Sequence, residues 1–113
     1  MDTDQIKTQK ENVIQEIRRG VLELAALSEL REAKYGYALI SSLAEKGLQV
    51  DQGTLYPLLR RLESQGLLQS EWNVDGARPR RYYVLSPAGK QVLDLLSSDW
   101  RELTSIMEKL LGN

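Results

Sequence analysis

The chain contains no cysteine and no histidine. Without cysteine there can be no disulfide and no thiolate chemistry. Without either residue, most transition-metal sites lose their usual ligands. The commonest general base is also missing, and no Cys–His or Ser–His–Asp arrangement can be assembled. No Gly-rich phosphate loop is present, so an enzyme is the weakest reading. No apolar run approaches membrane-spanning length. The start, Met1-Asp2-Thr3-Asp4-Gln5, is polar and acidic and lacks the features of a secretion signal. A cytoplasmic protein with no cofactor and no bound metal is therefore expected. The net charge of −1 and pI near 5.5 exclude the uniformly cationic coat of a histone-like or ribosomal protein. They do not exclude a local basic patch.

What is present suits one domain. The chain has 113 residues, of which 42% are hydrophobic, enough for a packed core. Charge is unevenly placed. Between Asp51 and Leu85, arginines 60, 61, 78, 80 and 81 outnumber the acids 51, 63, 71 and 75, so the acidic excess lies elsewhere.

Hydrophobic spacing predicts four helices. The first ten residues carry no strong pattern and are expected to fray. Apolar residues at 14, 17, 21, 24, 25, 27 and 30 then predict a helix from about Glu11 to Leu30. Gly20 interrupts it, which points to close contact with a neighbouring element. Arg31-Glu32-Ala33-Lys34 reads as a polar connector. Tyr35-Gly36-Tyr37 opens a second helix bearing Leu39, Ile40, Leu43 and Ala44, and Gly47 ends it. Leu48-Gln49-Val50 reads as a short extended link. Asp51 is a good N-cap for a third helix whose buried stripe is Leu55, Leu58, Leu59 and Leu62. Pro57 cannot donate to the carbonyl of Gly53, so the first turn must adapt. Gln65-Gly66 closes this helix.

Leu67 to Trp72 and Arg81 to Leu85 read as paired strands joined by a polar Gly- and Pro-containing loop. Ser86-Pro87 supplies an N-cap followed by proline at the first helical position. The last helix carries Val92, Leu96, Trp100, Leu103, Met107 and Leu110 at steps of three and four. At about 1.5 Å per residue its 25 or so residues span about 37 Å, more than a domain this small can bury alone. Its seam implies a partner helix, most simply the same helix of a second subunit.

A helix followed by a basic hairpin is the layout of a winged-helix DNA-binding module. The expected fold is α+β, mainly α, with a winged helix-turn-helix over residues 11–86, a two-stranded wing, and a long C-terminal dimerisation helix over 87–112. Gln52, Thr54 and Tyr56 lie near the N-terminus of the third helix, where amides and helix dipole favour a phosphate. Gln52 or Thr54 could reach base edges, while Tyr56, Arg60 and Arg61 suit the backbone. The alternative for all five is an ordinary solvated face. Arg78 and Arg80 suit phosphate or minor-groove contact. Arg81 is open between DNA and a pair with Glu71. Tyr35, Tyr37, Tyr82 and Tyr83 read as core and junction packing, and Trp72 as a cover for the core. Asp94, Asp99 and Glu102 read as a solvated helix face.

Four stretches resemble the PadR family of bacterial transcriptional regulators. They are Gly20-Val21-Leu22-Glu23-Leu24, Tyr35-Gly36-Tyr37, Gly53-Thr54-Leu55-Tyr56-Pro57-Leu58-Leu59-Arg60-Arg61-Leu62-Glu63, and Pro79-Arg80-Arg81-Tyr82-Tyr83-Val84-Leu85-Ser86-Pro87-Ala88-Gly89. The resemblance covers about residues 14 to 111, and the single C-terminal helix is similar to the short branch of the family. It implies a homodimeric winged-helix repressor on a palindromic operator in double-stranded DNA. The C-terminal helices would dimerise with the N-terminal helix across the interface. Where family wings often carry a run of glycines, this chain has Gly76-Ala77-Arg78-Pro79-Arg80, a stiffer and more basic tip.

Trp100 carries two readings, dimer-core packing or an effector site. The resemblance implies that a planar aromatic molecule could stack between Trp100 and its symmetry mate. Ile14, Ile17, Leu96, Asp99, Leu103 and Met107 would line the same space. A protein-interaction module that uses the winged helix without touching DNA is the alternative function.

Overall fold

The computed structural model describes residues 1–112. The first helix, α1, runs Thr3–Glu29, so it starts well before the expected Glu11. The cause is a capping box. The Asp2 carboxylate accepts from the Gln5 amide at 2.8 Å, and the Gln5 side chain accepts from the Asp2 amide at 2.9 Å. These bonds close the first turn where little apolar periodicity exists to announce it. Leu22, Ala26, Leu27 and Leu30 bury the far end of α1 in the core. Gly20 has no neighbour within 4 Å of a built Cβ, so within one chain it marks no close contact.

The connector after α1 holds an unexpected strand, β1 (Lys34–Tyr35). It is followed by α2 (Gly36–Glu45) and α3 (Gln52–Ser64). Both helices end in the same way. Gly47 and Gly66 take φ of +95° and +83°, which lets the next residue turn back. Leu48 and Leu67 then donate to the carbonyls of Leu43 and Leu62 at 2.9 and 3.0 Å. Asp51 caps α3 as expected, accepting from the Thr54 amide at 2.8 Å. The helix continues through Pro57, leaving the Gly53 carbonyl without its usual donor four residues on.

Strands β2 (Leu68–Asn73) and β3 (Arg80–Leu85) form the hairpin, and β1 adds to the other edge of β3. The sheet is three-stranded and antiparallel in the order β1-β3-β2, not the bare ribbon expected. Register runs from Leu68 opposite Leu85 to Asn73 opposite Arg80. Beyond those pairs, residues 74–79 form the exposed wing tip. The amide of Leu85 donates to the carbonyl of Leu30, tying the base of the sheet to the end of α1.

The last helix, α4, runs Pro87–Leu111. Ser86 caps it by accepting from the Gly89 amide at 2.9 Å and donates its own hydroxyl to the Gly66 carbonyl at 2.6 Å. One side chain thus joins the end of α3 to the start of α4. Gly89 and Leu93 are buried, and from residue 98 onward every described residue of α4 is exposed. The radius of gyration, 16.7 Å, exceeds the roughly 13 Å of a compact domain this size. The excess comes from the free ends of α1 and α4.

Candidate nucleic-acid interface

The buried stripe of α3 fixes what the rest of the helix presents. Leu55, Leu58, Leu59 and Leu62 face the core, so at about 100° per residue Gly53, Pro57 and Arg60 form the outermost crest. Gln52 and Tyr56 flank it toward the hairpin, and Thr54 and Arg61 flank it toward α1. The crest is small at its N-terminal end, where Gly53 and Pro57 leave the backbone open.

On the hairpin side, α3, the start of α2 and the wing enclose an open cleft of about 760 Å³. Six of the eight expected DNA-contact residues line it: Gln52, Tyr56, Arg60, Arg78, Arg80 and Arg81. No carboxylate lines it, and of its four arginines only Arg81 has a carboxylate partner among the described residues, so it is a basic patch on a chain that is slightly acidic overall. The Arg80 guanidinium lies 4.4 Å from the centroid of the Tyr35 ring, and Tyr35 meets Tyr82 edge to face at 5.4 Å. Arg78 is exposed at the tip. Its loop is shaped by the Asn73 side chain, which accepts from the Asp75 amide at 2.9 Å.

The other two residues point elsewhere. Arg61 pairs with Glu23 of α1. Thr54 lines a smaller groove of about 380 Å³ with Gln15, Arg18 and Arg19 of α1. Hydrogen bonds from Thr54, side chain first and then amide, hold the Asp51 carboxyl below its ordinary value.

Arg81 does not pair with Glu71. Register sets Arg81 opposite Trp72 and Glu71 opposite Tyr82, and alternation along the strand sends neighbouring side chains to opposite faces. Arg81 instead donates to Glu63 at 2.7 Å and to Ser70 at 3.0 Å.

Four aromatic residues expected to serve packing line the cleft, Tyr35, Tyr37, Trp72 and Tyr83, and two of them are exposed. Tyr37 and Trp72 line it at 60% and 63% exposure. The stripe Leu39 and Leu43 could have shown that Tyr37 faces outward. Trp72 shares a strand face with buried Leu68, and alternation cannot tell that the core ends before it. Tyr83 is buried, as expected, and burial pushes its phenol pKa up.

Residues 23–95 match the sequence profile of the "Transcriptional regulator PadR-like family". The chain belongs to the PadR-like family of transcriptional regulators. Transcriptional regulator Rv3488 of Mycobacterium tuberculosis is 40% identical over 96 residues, covering 85% of this chain and 83% of that protein. The crystal structure of a PadR family transcriptional regulator from Eggerthella lenta superposes with a TM-score of 0.90. Identity there is 44%, over 98% of this chain and 99% of that one. A PadR-like transcription factor from Bacteroides fragilis gives a TM-score of 0.73 at 38% identity, covering 88% and 98%. As a PadR-like regulator the chain is not an enzyme, and the winged helix is the fold of that family. Among the described residues, no helix is long and apolar enough to cross a membrane, and no group of three or more His, Cys, Asp or Glu could hold a metal ion.

The second set of expected residues lies apart from both grooves. Leu96, Trp100, Leu103 and Met107 fall within an arc of about 60° on α4, with Trp100 and Leu103 at 46% and 56% exposure. Asp99 borders them. Ile14 and Ile17 lie on a stripe of α1 that continues through Val13 and Ile6, mostly exposed.

Proposed function

We propose that this PadR-like regulator binds a palindromic site in double-stranded DNA as a homodimer and acts as a repressor. The carrying observation is the cleft between α3 and the wing, which four arginines and no carboxylate line. A duplex laid there receives α3 in its major groove and the wing on the neighbouring backbone. Gln52 approaches base edges from the cleft side of α3, and Thr54 from the flank toward α1. Tyr56 and Arg60, with Arg78 and Arg80 of the wing, hold phosphates, and Arg61 borders the footprint from its pair with Glu23. Repression asks nothing of the protein beyond occupancy of the operator.

Dimerisation is supported by the two unpartnered apolar stripes. An exposed seam carrying Leu96, Trp100, Leu103 and Met107 is costly in water and is relieved by a second copy. In this reading residues 11–86 form the reading head and residues 87–112 the joining helix. Two Trp100 rings brought together across a two-fold axis would accept a planar aromatic effector between them, with Ile14, Ile17 and Asp99 at the rim. Binding there would change the angle between joining helices and so the spacing of the heads. Selection of bound fragments from the source genome tests the proposal. Enrichment of an inverted repeat whose binding weakens steeply with salt supports it, and recovery of no common sequence overturns it.

A further inference from the structure

We propose that Arg81 is a positioning residue that locks the wing to the end of the recognition helix and makes no phosphate contact of its own. The inference rests on the DNA-binding reading and assigns this arginine a part different from that of its neighbours.

Arg81, Ser70 and Glu63 form a closed ring of hydrogen bonds across three elements. The Arg81 Nη2 donates to Glu63 Oε1 at 2.7 Å, its Nε donates to Ser70 Oγ at 3.0 Å, and the Ser70 hydroxyl donates to Glu63 Oε2. Glu63 stands at the end of α3, Ser70 on β2 and Arg81 on β3. All three are partly buried, with Glu63 and Arg81 side chains 27% and 36% exposed. The guanidinium also packs 5.4 Å from the Tyr83 ring centroid and 6.0 Å from that of Trp72. By contrast, among the described residues Arg78 and Arg80 have no carboxylate partner.

Two consequences follow from the chemistry. The charge of Arg81 is already met by Glu63, so it adds little net positive charge to draw a phosphate, and its Nε and one Nη2 donor are held in the ring. The outer part of the hairpin is also a two-stranded ribbon, which on its own holds no fixed orientation. The ring sets the angle at which Arg78 and Arg80 are presented relative to α3. It needs the planar fork of arginine, because a lysine ammonium cannot reproduce the Nε and Nη2 donors together.

The test compares R81Q, R81K and R80Q by duplex binding across a salt series and by amide hydrogen exchange without DNA. For R81Q and R81K alike, affinity is expected to fall roughly tenfold, within the range for groups sharing one network. The salt slope should stay unchanged, and the β2 and β3 amides should exchange faster. R80Q should lower the salt slope and leave exchange as in the wild type. In a cycle with E63Q, the double variant E63Q/R81Q should bind no more weakly than either single variant. The proposal is overturned if R81K keeps wild-type affinity, if R81Q lowers the salt slope by the roughly 0.9 that one neutralised phosphate contributes, or if the two changes add. Unchanged exchange in R81Q overturns it without reference to DNA. A wild-type chain that ignores duplex DNA but whose R81Q variant exchanges faster would instead sink the binding reading and leave the lock standing.

Discussion

The ring of Tyr56 covers Gly36 so closely that no side chain fits beneath it. A Cβ built on Gly36 would lie 2.8 Å from Tyr56 Cζ and 2.9 Å from its hydroxyl oxygen. Helix α3 is thereby seated on the first residue of α2, with the Tyr56 ring lining the cleft.

This packing separates binding from stability. Alanine suits a helix better than glycine, and the obstructing atoms are the far end of a side chain that can swing outward. Gly36→Ala should change the urea midpoint by the equivalent of less than about 1 kcal/mol yet weaken DNA binding. In a Tyr56→Ala background it should have no further effect on binding, which a double-mutant cycle checks.

Gly89 predicts the reverse. A Cβ there would overlap the backbone carbonyl of Leu67, which cannot move aside. Gly89→Ala should cost about 1–3 kcal/mol, the usual range for overpacking, measured as a shift in urea midpoint. Ser86→Ala removes both the cap on α4 and the bond to Gly66 and should cost about 1–2 kcal/mol.

Arg80 has no carboxylate partner among the described residues and stacks on Tyr35. Arg80→Gln should weaken binding to all duplexes alike and lower the salt slope by about 0.9 for each phosphate that Arg80 neutralises. Titrations at several salt concentrations, on specific and random duplexes, measure both. An unchanged slope removes Arg80 from the footprint.

Acid should destabilise the fold through particular carboxylates. Glu29 is held below its ordinary value first by its hydrogen bond from Lys46, and Asp51 by its bonds from Thr54. A carboxyl whose folded pKa is depressed contributes stability that is complete above its unfolded value. That contribution is lost as pH falls through the folded one. The urea midpoint should therefore hold from about pH 8 down to about pH 5 and fall below the ordinary carboxylate range near 4. With no histidine in the chain, no side chain of ordinary pKa titrates within the plateau. Glu29→Gln should flatten part of the acid limb.

The elements readable in advance were those carried by local chemistry. Asp51, Gly66 and Ser86-Pro87 mark helix ends by their own side chains or conformations, and the leucine stripe of α3 marks its buried face. The start of α1 was hidden because Thr3 to Lys10 offers one apolar residue, Ile6, and the Asp2–Gln5 box was the only signal. β1 could not be read because two residues have no periodicity, and Lys34 and Tyr35 become a strand only by pairing with Tyr83 and Tyr82. The partner of Arg81 was equally out of reach, since Glu63 lies 18 positions away and meets it only once α3 packs beside the hairpin. Aromatic character suggests burial for Trp72 and Tyr37, whereas both stand exposed on the lips of the arginine-lined cleft.

The most direct measurement of the central claim is sedimentation of the chain, free and with a short duplex carrying the selected inverted repeat, for the wild type and Leu103→Glu. The account predicts a wild-type species of twice 12.8 kDa, two chains on each duplex, and an L103E variant that is monomeric and binds far more weakly. A lone 12.8 kDa chain that occupies the duplex as tightly as any pair would contradict it.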